Sequence, residues 1–373
     1  MRTANPNNML KIGVTLAILV FCAMQGGAGE RSVEDELKEL RDRIADLERR
    51  LGAEEEAAAG NLFDNLKSSA IARGLDFNIL IEIEASYWDE ENIEAESDLT
   101  LATVELGLSA AISEKLSAEM TLLWEEDETE PIDVDTAVII LHDLFDLPLE
   151  LTAGKMYVPF GEFAGGMITD PMTLDMAETR ETAALLTIEG TVARAALGVF
   201  NGDVGDDRLE NIVARIDVAP GKLLAAGAYY ITDIRETDTL DDLISDRVDA
   251  GGTEGHRVSG AGAYVALSVR QLKVAAEYLQ ACETFEAGVL DDNKDLRPRA
   301  WAIDATFALA EDWEIAGRYE RSNEVPDFAR TRYGAAISHT LMDHVTLGLE
   351  VLRSDFEEGN DIDAVTAQLA FEF

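Results

Sequence analysis

The sequence predicts an all-β protein: a transmembrane, antiparallel, up-and-down β-barrel of about sixteen strands, preceded by a short α-helical coiled coil. Three observations carry that prediction. Apolar and polar residues alternate with a period of two along many stretches after residue 74, which gives strands with one greasy and one wet face. The links between these stretches alternate short and long, as when tight turns close one end of a barrel and loops crown the other. The chain closes on AVTAQLAFEF, where Val365, Ala367, Leu369, Phe371 and Phe373 share one face. A closing strand with aromatic residues at a bilayer interface accounts for that ending.

The bulk composition narrows the alternatives. No apolar run reaches the roughly 20 residues a spanning helix needs, so a membrane chain of this kind must close its sheet. Lys and Arg total 30 against 74 Asp and Glu, a formal charge of −44, which repels a phosphate backbone and excludes nucleic acid as a partner. The two cysteines, Cys22 and Cys282, exclude a disulfide scaffold and a multi-cysteine metal centre. No metal or cofactor is expected. The histidines, His142, His256, His339 and His344, sit in no metal or nucleophile motif, so no enzyme is expected either. Ser338 and His339 are neighbours on a strand and point to opposite faces, which counts against a dyad built from that pair.

Residues 1–28 read as a signal peptide, with Lys11 ahead of an apolar run from Ile12 to Phe21 and small Gly26 and Ala28 at a cleavage site. Phe21 is too bulky for a lipoprotein pattern at Cys22. Residues 29–52 read as a coiled coil. Val33, Leu37, Leu40, Ile44, Leu47 and Leu51 alternate spacings of four and three. Ser32 is an N-cap candidate and Gly52 a stop. The run RIADLE at 43–48 resembles trimeric coils, so a homotrimer is the expected assembly, against the alternative of a helix packed on its own protein. Residues 53–74 read as a linker, and 75–373 as the barrel.

Within the barrel, LDFNILIEIEASY, LSAEMTLLWE, NIVARIDV, LKVAAEY, WEIAGRYER and VTLGLEV repeat one pattern of charge-free apolar faces opposed by polar ones. Short links fall at 112–115, 219–222, 269–271, 310–313 and 340–343, with long acidic loops between them. An even strand count puts both chain ends on the short-turn side, and a barrel of about sixteen strands leaves an aqueous lumen. The alternation turns Lys155, Arg194, Arg215, Lys273 and Arg318 toward that lumen, with Glu82, Glu84, Glu105, Glu119 and Glu277. Such charges either set ion preference or pair with one another along a wet wall. The acidic loop runs 125–135 and 241–249 lack calcium-loop spacing and read as solvated loops.

The segment 154–184 carries a more specific pattern. Gly154-Lys155-Met156-Tyr157-Val158-Pro159-Phe160-Gly161, Thr169-Asp170-Pro171 and Glu178-Thr179-Arg180-Glu181 resemble the strand exit, turn and following element of the LbtU-type siderophore porins. The VFNGD run at 199–203 fits as well. The resemblance covers the layout of the whole chain, but the motif only about this third of the barrel.

It implies an outer-membrane porin taking up ferric siderophores without a plug. Membrane lipid and the barrel-assembly machinery would be its partners, with Phe371 and Phe373 as the assembly signal. Porins also commonly fold the third loop into the lumen. That makes Tyr157, Pro159, Phe160, Gly161, Asp170 and Pro171 candidates for a constriction, with Lys155 and Arg180 lining the gap. Two alternatives remain: a nonspecific porin for small solutes and ions, and a closed adhesive barrel with partner-binding loops.

Overall fold

The computed structural model describes residues 74–373 except 92, 127–130, 164, 203, 205–208 and 358. The expected signal peptide, coiled coil and nearly all of the linker lie outside the described residues, as do Leu37, Leu40, Ile44, Leu47 and Leu51.

Sixteen strands follow in chain order. The first eight are β1 (Leu75–Glu90), β2 (Glu96–Ser113), β3 (Leu116–Trp124), β4 (Asp133–Leu141), β5 (Leu149–Tyr157), β6 (Arg180–Glu189), β7 (Ala193–Asn201) and β8 (Leu209–Val218). The second eight are β9 (Leu224–Ile231), β10 (Gly260–Val269), β11 (Leu272–Ala281), β12 (Arg299–Ala310), β13 (Trp313–Asn323), β14 (Thr331–Met342), β15 (Val345–Asp355) and β16 (Ile362–Glu372). Each pairs antiparallel with the next, and β16 returns to β1, so the sheet is a closed barrel without an edge. Closure leaves no edge strand, so the ladders pair backbone groups around the whole wall, as lipid requires. Two helices lie in the long loops, α1 (Met172–Ala177) after β5 and α2 (Asp238–Asp249) after β9.

The loops alternate as the sequence indicates, and two further short links, at 142–148 and 190–192, complete the short-turn end. The links at 270–271 and 343–344 each hold one residue in the left-handed region, Arg270 and His344, as tight hairpins demand. The terminal strand is locked in place: Ile79 and Phe373 exchange both backbone hydrogen bonds at 3.0 Å.

Register divides the wall into two faces. Leu347, Leu349, Val351, Leu197, Ile216 and Val265 are exposed on the outer face. At its long-loop end stand Tyr87, Tyr230, Tyr278, Trp301, Tyr319 and Tyr333, with Trp301 and Tyr319 rings 5.6 Å apart. At the short-turn end Trp313 stacks on His339 at 4.1 Å, and Phe77 and His344 flank Phe373 at 6.2 and 5.4 Å. An apolar band between two aromatic girdles is the outer face of a membrane barrel. The inner face carries the polar positions, including Glu82, Glu84, Glu105, Glu119, Arg194, Arg215, Lys273, Glu277 and Arg318.

Candidate functional site

The lumen is shaped by the loop joining β5 to β6, residues 158–179. It begins as an extension of the sheet, with Val158 N–H donating to Thr179 O at 2.9 Å. It then crosses the interior to the far wall, and three wall glutamates receive it. Glu277 on β11 accepts the backbone N–H groups of Glu162 at 2.7 Å and Phe163 at 3.1 Å, and the Thr173 hydroxyl at 3.0 Å. Glu320 on β13 accepts the N–H of Met172 at 2.6 Å. Glu350 on β15 accepts those of Ile168 at 2.6 Å and Thr169 at 3.2 Å, and the Thr169 hydroxyl. Inward glutamates on alternate strands thus satisfy the donors of an irregular segment that would otherwise be buried unpaired. Bonds from N–H groups to an ionised carboxylate contribute about 1.5–3 kcal/mol each.

Arginines hold the matching carbonyls. Arg318 donates to Thr169 O at 2.6 Å and to Asp304 at 2.8 Å, Arg332 to Asp170 O and Glu320, and Arg215 to Gly161 O, Glu162 and Asp217. The wall beneath the loop is reduced to small residues. Ala302, Ala316 and Ala336 face it, Ile168 sits on Gly348, and Met167 on Gly334.

The loop is also gripped from above. Thr239 at the start of α2 donates its hydroxyl to Asp175 O, Asp238 N–H donates to Glu178 O at 2.8 Å, and Arg180 N–H donates to Asp238 at 3.1 Å. Leu240 and Ile244 of α2 are buried in a cluster with Phe160, Met176, Phe285 and Leu290. Burial raises the Asp175 carboxyl to about 6 against the pull of Arg332, and raises Glu178 to about 7, reinforced by Asp238, Asp170 and Asp135. A raised carboxyl opposes docking while it is ionised. Docking should therefore be weakest near pH 8 and gain as pH falls through 7 and 6 toward the ordinary carboxyl range. Protease cleavage within 158–179 is expected to slow between pH 8 and pH 5.

Several expected site residues stand elsewhere. Lys155 pairs with Ala137, which pairs with Met120, which pairs with the exposed Leu108, so Lys155 lies on the outer register. Tyr157 and its partner Arg180 share that face. They do not line the gap. Lys155 binds Asp133 at 3.1 Å, while Arg180 and the Tyr157 hydroxyl meet Asp135 at 2.9 and 2.7 Å. Polarity stops reporting the lumen here because the docked loop dries the inner wall, where Met156 and Val158 are buried, and the rim stands above the apolar band. Phe160 is 1% exposed and packs edge-on to Tyr229 at 5.3 Å, so it is a peg at the loop's root rather than a lining residue. Pro159 lies beside it half-buried, and Gly161 and Pro171 are buried, whereas Asp170 is exposed at the loop's far end. Arg194 lies at the short-turn end near Glu150, Thr187 and Glu189.

The pinning glutamates are the functional feature that sequence reasoning missed: Glu320 and Glu350 read only as polar-face residues. It also missed a chain at the short-turn end, where the Ser117 hydroxyl lies 2.8 Å from His142 Nε2 and His142 Nδ1 lies 3.0 Å from Glu150. This chain ties β3 to the link between β4 and β5.

No family model matches the chain. A UPF0422 protein of Coxiella burnetii is 26% identical over 209 residues, 52% of this chain and 44% of that protein. One from Legionella pneumophila strain Paris is 25% identical over 122 residues, 31% of this chain and 23% of that protein. The chain thus matches less than half the length of these curated relatives, and their name does not mention siderophores.

Among solved structures, the outer-membrane channel DcaP of Acinetobacter baumannii superposes with a TM-score of 0.56 at 12% identity, covering 80% of this chain and 97% of that one. OmpF of Salmonella typhi gives 0.56 at 13%, covering 81% and 99%, and a mutant of the Rh. blastica porin 0.52 at 12%, covering 80% and 100%. At these identities the likeness is one of fold: the chain has a porin-like, closed sixteen-stranded β-barrel.

Proposed function

We propose that the chain is a diffusion porin of a bacterial outer membrane, passing small hydrophilic solutes through a lumen narrowed by the loop 158–179. The observation that carries this reading is the loop itself. It enters a closed sixteen-stranded barrel and is fixed to one side of the wall by Glu277, Glu320 and Glu350. A loop fixed to one side sets an aperture; an adhesive loop would be presented outward. Export by the signal peptide, delivery to the assembly machinery through Phe371 and Phe373, and trimerisation through Leu37, Leu40, Ile44, Leu47 and Leu51 belong to the same proposal.

Ferric siderophore uptake is the narrower reading, supported by the resemblance of segment 154–184 alone. Geometry favours the broader one, because Lys155 and Arg180 face away from the lumen and Arg215 and Arg318 are engaged with carboxylates. Swelling of liposomes containing the purified protein tests both. Uptake of small neutral sugars that declines with sugar size is the expected result, and no swelling with any sugar would overturn the porin reading in favour of a closed barrel. Inhibition by a ferric polycarboxylate chelate, but not by the iron-free chelate, would restore the siderophore reading.

A further inference from the structure

Charge is segregated around the lumen. Five consecutive strands, β16, β1, β2, β3 and β4, contain no Lys, Arg or His. The crossing loop 158–179 contains none either. Three inward bases, Arg215, Arg318 and Arg332, lie on strands under the docked loop, and each is engaged by acids: Arg215 by Asp217, Arg318 by Asp304, Arg332 by Glu320. Two more inward bases, Arg194 and Lys273, are the second residues of β7 and β11 and stand at the short-turn end, outside the acidic arc. The arc of wall opposite the docked loop presents Glu82, Glu84, Glu105 and Glu119 inward. Glu82 is within electrostatic range of Glu84, Glu105 and the exposed Asp170 of the loop. The open side of the lumen is therefore bounded by carboxylates on both the wall and the loop.

We infer that the pore selects small cations over anions. The inference rests on the diffusion reading above and names its solute class. An aperture lined by one sign of charge with low-dielectric walls concentrates the opposite ion and excludes its own sign. Arg215, Arg318 and Arg332 do not cancel this field, because their charge is already balanced by neighbouring carboxylates, and Arg194 and Lys273 stand at the short-turn end. Anionic solutes, ferric polycarboxylates among them, meet a repulsive lumen.

Reversal potentials across a planar bilayer in a KCl gradient test the inference. Near 0.1 M salt, where the screening length is about 10 Å, K⁺ is expected to permeate about tenfold or more over Cl⁻. At 1 M, where it is about 3 Å, the preference should shrink several-fold. Combining Glu82→Gln, Glu84→Gln, Glu105→Gln and Glu119→Gln should lower the ratio at least about threefold at 0.1 M. Glu105→Gln alone should lower it less, and serves if the combined variant does not assemble. A wild-type ratio near or below one, or one unchanged in the neutralised variant, would overturn the inference. Absence of any conductance would instead remove the diffusion reading and this inference with it, an outcome distinct from an unselective pore.

Discussion

Glu320→Ala is expected to release the loop 158–179 from the barrel wall while leaving the sixteen-stranded sheet intact. Glu320 is 0% exposed and serves three groups at once: the Met172 N–H at 2.6 Å, Arg332 at 3.2 Å and Arg318 at 3.5 Å. Truncation leaves two arginines facing each other with less anion between them and orphans the N–H at the head of α1. Removing one partner of a buried ionic group costs about 3–5 kcal/mol. The sheet does not bear that cost, because the strand ladders do not run through Glu320's side chain. The loop does, since it is held by three such anchors and α2. Larger, noisier single-channel conductance and faster proteolysis within the loop should follow, with unchanged β-structure by circular dichroism. Glu320→Gln keeps an acceptor and should give an intermediate result.

Gly154→Ala should act on the sheet itself. Gly154 sits in β5 with φ +142°, a conformation L side chains rarely adopt. A Cβ there would lie 2.0 Å from Ala137 O and 2.9 Å from Val138 Cα, both backbone atoms of β4. Neither can yield without parting the two strands. Backbone strain of about 1–3 kcal/mol adds to overpacking of about 1–3 kcal/mol, and the site lies near the start of the loop that narrows the lumen. Far less folded barrel should appear in outer-membrane fractions, read as the heat-modifiable band on a gel. Normal folded yield would show that β4 and β5 can separate locally at little cost.

The barrel was legible because its rule is local. A period of two, a turn and a loop can be read from residues close in sequence, and Leu347 or Ile216 reports the lipid face without reference to any other strand. The constriction was legible only in part. The glycines and the unusual length of 158–179 mark a special loop, but its partners Glu277, Glu320 and Glu350 lie more than a hundred residues away. Their alternate-strand spacing has meaning only once β11, β13 and β15 are aligned.

Lys155 and Arg180 were misassigned for a related reason. Polarity predicts the wet face only where the inner face is wet, and the docked loop dries it beside Met156. The acid-only arc was in plain view, since no base occurs between Leu75 and Glu114, yet its significance depends on which arc of wall the loop leaves uncovered.

The most direct test of the account is single-channel recording of the purified wild-type protein in a planar bilayer. A stable, reproducible conductance step, enlarged in Glu320→Ala, is the expected result. A folded barrel that inserts yet gives no steps, in either the wild type or the variant, would contradict it and show the lumen to be shut.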